Sequence, residues 1–385
     1  MLDFAQNPFN LLNYSKVCTK IIINVLYLLM KVIVYLGALD MTTRRNFLKY
    51  LVGLGVGTLL WQNVILPQTA ISSSTRTTNT KQHWTKNPQA KLSFVVISDI
   101  HIARLNAIRN FSLVLNSNYN SRPDAMIVNG DLGDGLWRDY NTINNELAVH
   151  KIEVNYPIHW TIGNHEFYGA FYDYGLWSPK TFPNRETDAT AIDRFLRLAN
   201  RDKVYGDTWI NDYHFIFLGS EKSRMSDMSY TDAAFLSDTQ LDWLKNALID
   251  NKHPDQPIFV FLHQPIPHTT LGGFQPGYVI QWQKLNAILS QHPEVILFNG
   301  HTHYKLDQKH MASKENFAIV NSSSLASPID RNRKPIMNYA PGLVVEVYKD
   351  KVVIKGRDFF TSDWVPGAEI TIKAIKNSSR SIKHS

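Results

Sequence analysis

Cysteine is nearly absent: of 385 residues only Cys18 carries a thiol. It lies upstream of every stretch with strand or helix character, so no disulfide framework can hold the folded part together. A metal site there must use nitrogen and oxygen ligands. Internal repeats are absent too, which excludes a repeat architecture, and the single low-complexity tract is the Ser-, Thr-, Asn- and Gln-rich stretch 71–90. Net charge is scarce where a polyanion partner would need it. The formal charge is +7, but residues 1–70 hold six Lys/Arg against two Asp/Glu, and residues 373–385 hold four Lys/Arg and no acid. Between 71 and 372 there remain 30 bases against 31 acids. No basic face for a duplex is implied, and the charged ends fit targeting, solubility or surface contact.

Long hydrophobic runs occur only near the start. Residues 21–39 are long enough to span a bilayer, although Lys31 near their centre is costly there. Met41-Thr42-Thr43-Arg44-Arg45-Asn46-Phe47-Leu48-Lys49, the apolar run Leu51 to Leu66 and the small residues ending near Ala70 then resemble a twin-arginine export signal. Two ordinary membrane helices with a basic loop between them are the alternative. Both readings put the domain outside the cytoplasm, exported or anchored at the membrane. The resemblance implies contact with the twin-arginine translocation machinery and points to Met41 as the initiator. The organisation expected is an upstream segment 1–40, a signal 41–70, a linker 71–90, one catalytic domain 91–372 and a basic tail 373–385.

With 44% apolar residues the chain can build one large core. Short Val-, Ile-, Phe- and Leu-rich runs predict strands at 92–98, 125–129, 158–162, 214–218, 258–262, 295–298 and 318–320, and a terminal hairpin at 343–348 and 352–357. Helices are expected at 103–115, 143–154, 189–199 and 282–289, with Ser237-Asp238-Thr239-Gln240 as a capping box opening another. A long loop, 167–182, holds Phe167, Tyr168, Phe171, Tyr172, Tyr174 and Trp177. These aromatics form either a satellite core beneath the loop or a surface that stacks on a base, sugar or lipid.

Five strand ends carry metal-ligating residues: Asp99 and His101 in Ser-Asp-Ile-His, Asp131 and Asp134 in Gly-Asp-Leu-Gly-Asp-Gly, Asn164 and His165 in Gly-Asn-His-Glu, His263 in Leu-His-Gln-Pro, and His301 and His303 in Asn-Gly-His-Thr-His. Ligands gather where such strands stop. Singly, each has a bland explanation as a turn former or a hydrogen-bonded histidine. In this order and number they resemble the calcineurin-like metallophosphoesterases over roughly 91–360. The resemblance implies an α/β fold, a four-layer sandwich of two mixed β-sheets flanked by helices.

It also implies two divalent or transition metal ions (Mn, Fe, Zn or Ni), with Asp99, His101 and His303 on one, Asn164, His263 and His301 on the other, and Asp131 bridging. Hydroxide shared by the two metals would attack a phosphomonoester or phosphodiester. His165, held by Asp134, would assist the leaving group. Two subgroups fit poorly: protein Ser/Thr phosphatases carry Arg where this chain has Gly135, and purple acid phosphatases carry Tyr in place of Asp134 and lack His101. A small-molecule, lipid- or wall-derived phosphoester is the expected substrate, with nucleic acid disfavoured by the charge balance. A non-catalytic exported binding module and a nuclease of the same superfamily are the rivals. No ligand of the pattern is missing, which weighs against the first.

Overall fold

Strand β1 (Leu92–Ile97) is buried along its whole length, and its two faces define the layers. Val95 and Ile97 pack under helices, whereas Leu92, Phe94 and Val96 point between two sheets. A strand covered on both faces loses the apolar/polar alternation, which is why it reads as one continuous hydrophobic run. The structure, a computed structural model, describes residues 84–373 apart from 251–252, 254, 273–276, 308–311 and 315. The segments 1–40 and 41–70, residues 71–83 of the linker and the tail beyond Lys373 lie outside the described residues. Among the described residues no helix is long and apolar enough to cross a membrane.

The first sheet also contains β2 (Ala125–Asn129), β3 (Ile158–Thr161), β12 (Pro341–Val347), β13 (Lys351–Asp358) and β14 (Asp363–Lys373), in the order β14-β13-β12-β1-β2-β3. Strands β1, β2 and β3 run parallel, and β12 joins β1 antiparallel. The second sheet has the order β10-β11-β9-β8-β7-β6. Its members are β6 (Gly206–Ile210), β7 (Tyr213–Phe217), β8 (Ile258–Phe261), β9 (Val295–Asn299), β10 (Ala312–Lys314) and β11 (Ala318–Asn321). Here β7, β8, β9 and β11 are parallel and the two edges antiparallel. A small hairpin, β4 (Tyr172–Asp173) with β5 (Leu176–Trp177), stands apart.

Between the sheets Phe94 meets the rings of Phe215, Phe259, Phe261 and Phe298 edge-on, with centroids 4.9 to 6.3 Å away. Edge-to-face pairs add to the gain from burial, so this knot fixes the sheet-to-sheet contact. Helices α1 (Ala107–Ser121), α2 (Trp137–Val149) and α3 (Asp188–Ala199) cover the first sheet through Phe111, Val114, Ile143 and Phe195. Helices α4 (Asp238–Ile249) and α5 (Trp282–Leu289) cover the second through Leu241, Leu244, Leu285 and Leu289. Helix, sheet, sheet, helix is the four-layer sandwich expected.

Several boundaries differ from the sequence expectation. Helix α1 begins at Ala107 because Asn106 is left-handed (φ 66°), and it runs to Ser121 because its last turns are buried through polar contacts. Asn118 Nδ2 donates to Tyr156 Oη (3.2 Å) and Ser121 Oγ to the Trp84 carbonyl (2.8 Å). Helix α2 starts at Trp137, where Asp139 accepts the N–H groups of Asp134 (2.8 Å) and Leu136 (3.3 Å). The box at Ser237 is half formed. Its Oγ accepts from Gln240 N, but the Gln240 side chain turns inward to Gly219 and Glu221 takes the Ser237 N–H. The loop 167–182 begins inside a 3-10 helix (His165–Phe171) and contains the β4–β5 hairpin and a second 3-10 turn (Pro179–Thr181).

Candidate metal centre

Strands β1, β2 and β3 of one sheet and β8 and β9 of the other end at the same edge of the sandwich, and each is followed within a few residues by a ligand-type side chain. Polar residues at the strand exits lock the two edges together. Asn129 donates to the Phe298 carbonyl across the sheets (3.1 Å) and accepts from Thr161 (2.8 Å), while Asn321 donates to Asn299 (2.7 Å). Beyond these ties the backbone turns sharply: Asp99, His101, Asp131, His301 and His303 all have positive φ, between 42° and 66°. Such conformations cost about 1–3 kcal/mol each for a residue with a Cβ. They are held by bonds between loops, Asp99 N to Gly130 O (3.0 Å), His101 N to Asp131 O (2.9 Å) and Gly300 N to His263 O (2.9 Å). Gly300 is required by packing, since a Cβ there would lie 1.9 Å from Ser98 Oγ.

These turns bring the predicted residues into two overlapping groups, Asp99, His101, Asp131 and His303 in one, Asp131, His263 and His301 in the other, each with its donor atoms within 4.8 Å of one another. Asn164 joins the second through its Oδ1, 2.9 Å from His301 Nδ1. In the first, His303 Nε2 lies 2.8 Å from Asp99 Oδ1 and 3.3 Å from His101 Nε2. Asp131 Oδ2 is 3.7 Å from His101 Nε2 and 3.2 Å from His263 Nε2.

The chemistry of this donor set fits cations. His303 Nδ1 donates to the Ser327 carbonyl (3.1 Å) and His263 Nδ1 to the Asn129 carbonyl (2.7 Å). Because a carbonyl only accepts, the proton sits on Nδ1 and the Nε2 lone pair faces the centre. Asp99 Oδ1 and His263 Nε2 are buried without an aligned hydrogen-bond partner. Oxygen and nitrogen lone pairs that converge on one point without pairing are what a hard or borderline metal needs.

Electrostatics agree. Burial by itself would raise the Asp99 and Asp131 carboxyls, but facing imidazoles outweigh it, chiefly His303 and His263 for Asp99 and His263 and His165 for Asp131, and both lie below the ordinary carboxylate value. Burial holds His101 well down and His301 at about 4, so their nitrogens are neutral. His263 is the exception: burial lowers it, yet Asp131 and Asp99 push it up to about 10. The carboxylate pair thus demands positive charge, for which a proton on His263 and a metal compete.

His165 stands beside this cluster, and Asp134 Oδ1 lies 2.8 Å from its Nδ1. Asp134 Oδ2 accepts from Tyr172 Oη at 2.6 Å. Burial opposes a charge on His165, but Asp131 and Asp134 raise it above its ordinary value. The His165 ring packs 3.8 Å from Tyr168, whose hydroxyl donates to Asp232 (2.9 Å).

Three contributors were given no role by the sequence, although Glu166 closes the Gly-Asn-His-Glu motif. Glu166, fully buried, accepts N–H groups from Asp131 (3.1 Å), Leu132 (2.7 Å) and Gly163 (2.6 Å), pinning two ligand loops at once. Burial and the Asp131 charge push its carboxyl up to about 7 despite those three bonds. Tyr172 and Tyr168 belong to the aromatic loop, where nothing in the sequence separates them from their neighbours. The rest of that loop packs on itself and on Arg224: Phe171 lies 5.0 Å from Trp177, 4.9 Å from Phe182 and 5.3 Å from the guanidinium. The space between Phe171 and Arg224 is only about 10 Å³, room for a water at most. Phe171, Trp177 and Phe182 thus form a small satellite cluster, while Tyr174 is 85% exposed. At Gly135 (φ 71°) a Cβ would lie 2.0 Å from the Glu166 carbonyl, so this backbone excludes any side chain there, arginine included.

A family model described as calcineurin-like phosphoesterase matches residues 92–305, more than half of the chain. No curated protein matches the sequence. Among solved structures, a dimetal phosphatase from Danio rerio is similar at 15% identity over 74% of this chain and 100% of that one, with a TM-score of 0.53. A purple acid phosphatase from yellow lupin seeds is similar at 12% identity over 73% of this chain and 53% of its own, with a TM-score of 0.48. The chain thus spans about half of that enzyme's length. The dimetal phosphatase likeness speaks for the two-sheet sandwich, and the family match carries the activity: the chain belongs to the calcineurin-like phosphoesterase family and is a metal-dependent hydrolase of phosphoester bonds.

Proposed function

We propose that the protein hydrolyses a phosphomonoester or phosphodiester on two metal ions, one held by Asp99, His101 and His303, the other by Asn164, His263 and His301, with Asp131 shared between them. Asp131 is the observation that carries this reading. Its Oδ1 is committed to the His165 N–H (2.9 Å), while Oδ2 stands between His101 Nε2 and His263 Nε2. Two cations drawn from Mn, Fe, Zn or Ni would supply an acidified water and neutralise phosphoryl charge. The leaving group falls to the chain itself. Asp134 keeps the His165 Nδ1 proton on its own side, so the other ring nitrogen gives its proton to the departing oxygen as the P–O bond breaks. Alcohol and phosphate, or a phosphomonoester, are the products.

The charge balance of 30 against 31 supports a small, lipid- or wall-derived ester over a long nucleic acid, and Arg44 and Arg45 with the apolar run behind them support action outside the cytoplasmic membrane, reached through the twin-arginine machinery. A nitrophenyl phosphate monoester and diester panel tests the reaction, with Mn²⁺, Fe, Zn²⁺ or Ni²⁺ supplied and then chelated. Turnover that disappears on chelation is expected; none under any condition would favour the exported binding module.

A further inference from the structure

A groove of about 430 Å³ opens beside the metal centre with His303 at its inner end. Its walls come from the turn after β1 (Arg104, Leu105, Asn106), the start of α1 and the segment between β11 and β12. Two arginines, Arg104 and Arg109, line it and no carboxylate does. Pro328, Ile329, Pro335, Ile336 and Met337 give it an apolar side. Leu105 and Met337 stand at its rim, 82% and 66% exposed. The space at the aromatic loop is far smaller, about 10 Å³.

Arg104 is set by the same residue that sets a ligand. Its Nη1 donates to Ser327 Oγ (2.8 Å), while the Ser327 carbonyl accepts from His303 Nδ1. One of five guanidinium N–H donors is used in that contact, which leaves a fork for a second acceptor. Arg104 lines the same groove as His303, the ligand whose ring Ser327 holds. The wall behind it is anchored to the first ligand: Leu325 N donates to Ser98 O (2.9 Å), Ala326 N to Asp99 O (3.2 Å) and Ile329 N to His303 O (2.9 Å).

We infer that Arg104 binds the phosphoryl oxygens of the substrate and that the groove between Arg104 and Met337 receives its organic substituent, so that the substrate class is an amphiphilic phosphoester with an apolar chain. The inference deepens the phosphoester reading and rests on it. A guanidinium suits a tetrahedral oxyanion through paired N–H bonds, and this one takes over a task that Gly135 cannot perform. The apolar side from Pro328 to Met337 then offers a hydrocarbon its surface, across from the Arg104 and Arg109 wall.

Alkylphosphonates test this without turnover, by calorimetric titration of the Mn²⁺-loaded protein. Hexylphosphonate is expected to bind at least tenfold tighter than methylphosphonate. Arg104→Gln should weaken both by about tenfold and keep their ratio, whereas Met337→Glu should bring the ratio close to one. Both side chains are exposed, so neither change removes core packing. Leu176→Glu, on the β4–β5 hairpin, should leave the ratio as in the wild type. Equal affinities for the two phosphonates, no effect of Arg104→Gln, or an unchanged ratio in Met337→Glu would each overturn the assignment. Chain-length selectivity without nitrophenyl ester turnover would sink the hydrolytic reading and leave the groove standing; turnover without selectivity would do the reverse.

Discussion

Removing one oxygen from Tyr172 should slow the protein in a way that depends on the leaving group. In Tyr172→Phe the ring keeps its place against Trp177 (5.2 Å) and Arg138 (5.3 Å), and only the 2.6 Å bond to Asp134 Oδ2 is lost. A hydrogen bond to a charged group contributes about 1.5–3 kcal/mol when buried. Tyr172 is half-exposed and water can replace it in part, so about 1 kcal/mol remains, roughly fivefold in rate. Burial and Asp134 push the Tyr172 hydroxyl up to about 12, so it stays protonated and is the donor. Asp134→Asn, which loses the carboxylate facing His165 Nδ1, should cost more, and His165→Asn about 10² to 10⁴.

The assay is single-turnover cleavage of two aryl esters, one with a good leaving group such as dinitrophenolate and one with phenolate, alongside metal content. Dinitrophenolate needs no proton to depart and phenolate does. All three variants should therefore keep their metal and lose far more rate with the phenyl ester. Equal losses with both esters would show that the His165, Asp134, Tyr172 chain does not deliver a proton. Loss of metal from His165→Asn would remove it from that role altogether.

Four further outcomes are expected. Asp131→Asn should lose metal and activity together, read by elemental analysis, because it changes the oxygen pair between His101 and His263; full metal content in that variant would contradict the shared-ligand assignment. Glu166→Gln turns one acceptor oxygen into a donor facing a backbone N–H and should destabilise the fold by about 2 kcal/mol in denaturant titration, at about 1–3 kcal/mol per unsatisfied buried group. His159 stacks on Phe217 (5.3 Å), and burial, then Arg201, brings it down to about 4. A folded value below the unfolded 6.5 means stability that is complete above pH 6.5 and is lost as pH falls toward 4, by about 2 kcal/mol after allowance for partial exposure. The stability of His159→Phe relative to wild type should improve by that amount between pH 7 and pH 4; a constant gap would refute it. Changing Arg44 and Arg45 to Lys should retain the protein inside the cell, and undiminished export would point to the general secretion route or a plain anchor.

The layers of the fold were readable wherever burial leaves an apolar run: β1, β2, β8 and β9 are short, fully buried and fell close to their expected bounds. Of the sheet-edge strands only β3 was readable. β6 is half-exposed, and β14, the longest strand at 11 residues, alternates irregularly and contains Pro366 and Gly367, which argue against a strand when read locally. Surface apolar residues misled in the other direction. Val149 and Ile152, inside the helix expected at 143–154, are 72% and 69% exposed, and α2 itself starts earlier, at Trp137. The true start is set by the Asp139 carboxylate, a local polar signal weaker to the eye than two aliphatic side chains.

The candidate site divides in the same way. The candidate metal ligands stood out because their chemistry is in their side chains and their positions, at the ends of parallel strands, follow from topology. The contacts of Glu166, Tyr172 and Arg104 did not, because they depend on partners far away in sequence: backbone N–H groups at 131 and 132, the Asp134 carboxylate, and Ser327 after β11. Geometry also refines the picture of the aromatic loop. By composition it was either a satellite core or a stacking surface; Tyr172 bonds to Asp134, Tyr168 packs on the His165 ring, Phe171 packs on Trp177, and Tyr174 stays 85% exposed. The loop thus touches His165 and Asp134 through Tyr168 and Tyr172, and the groove proposed for substrate is walled by other elements, where Arg104 and His303 share Ser327.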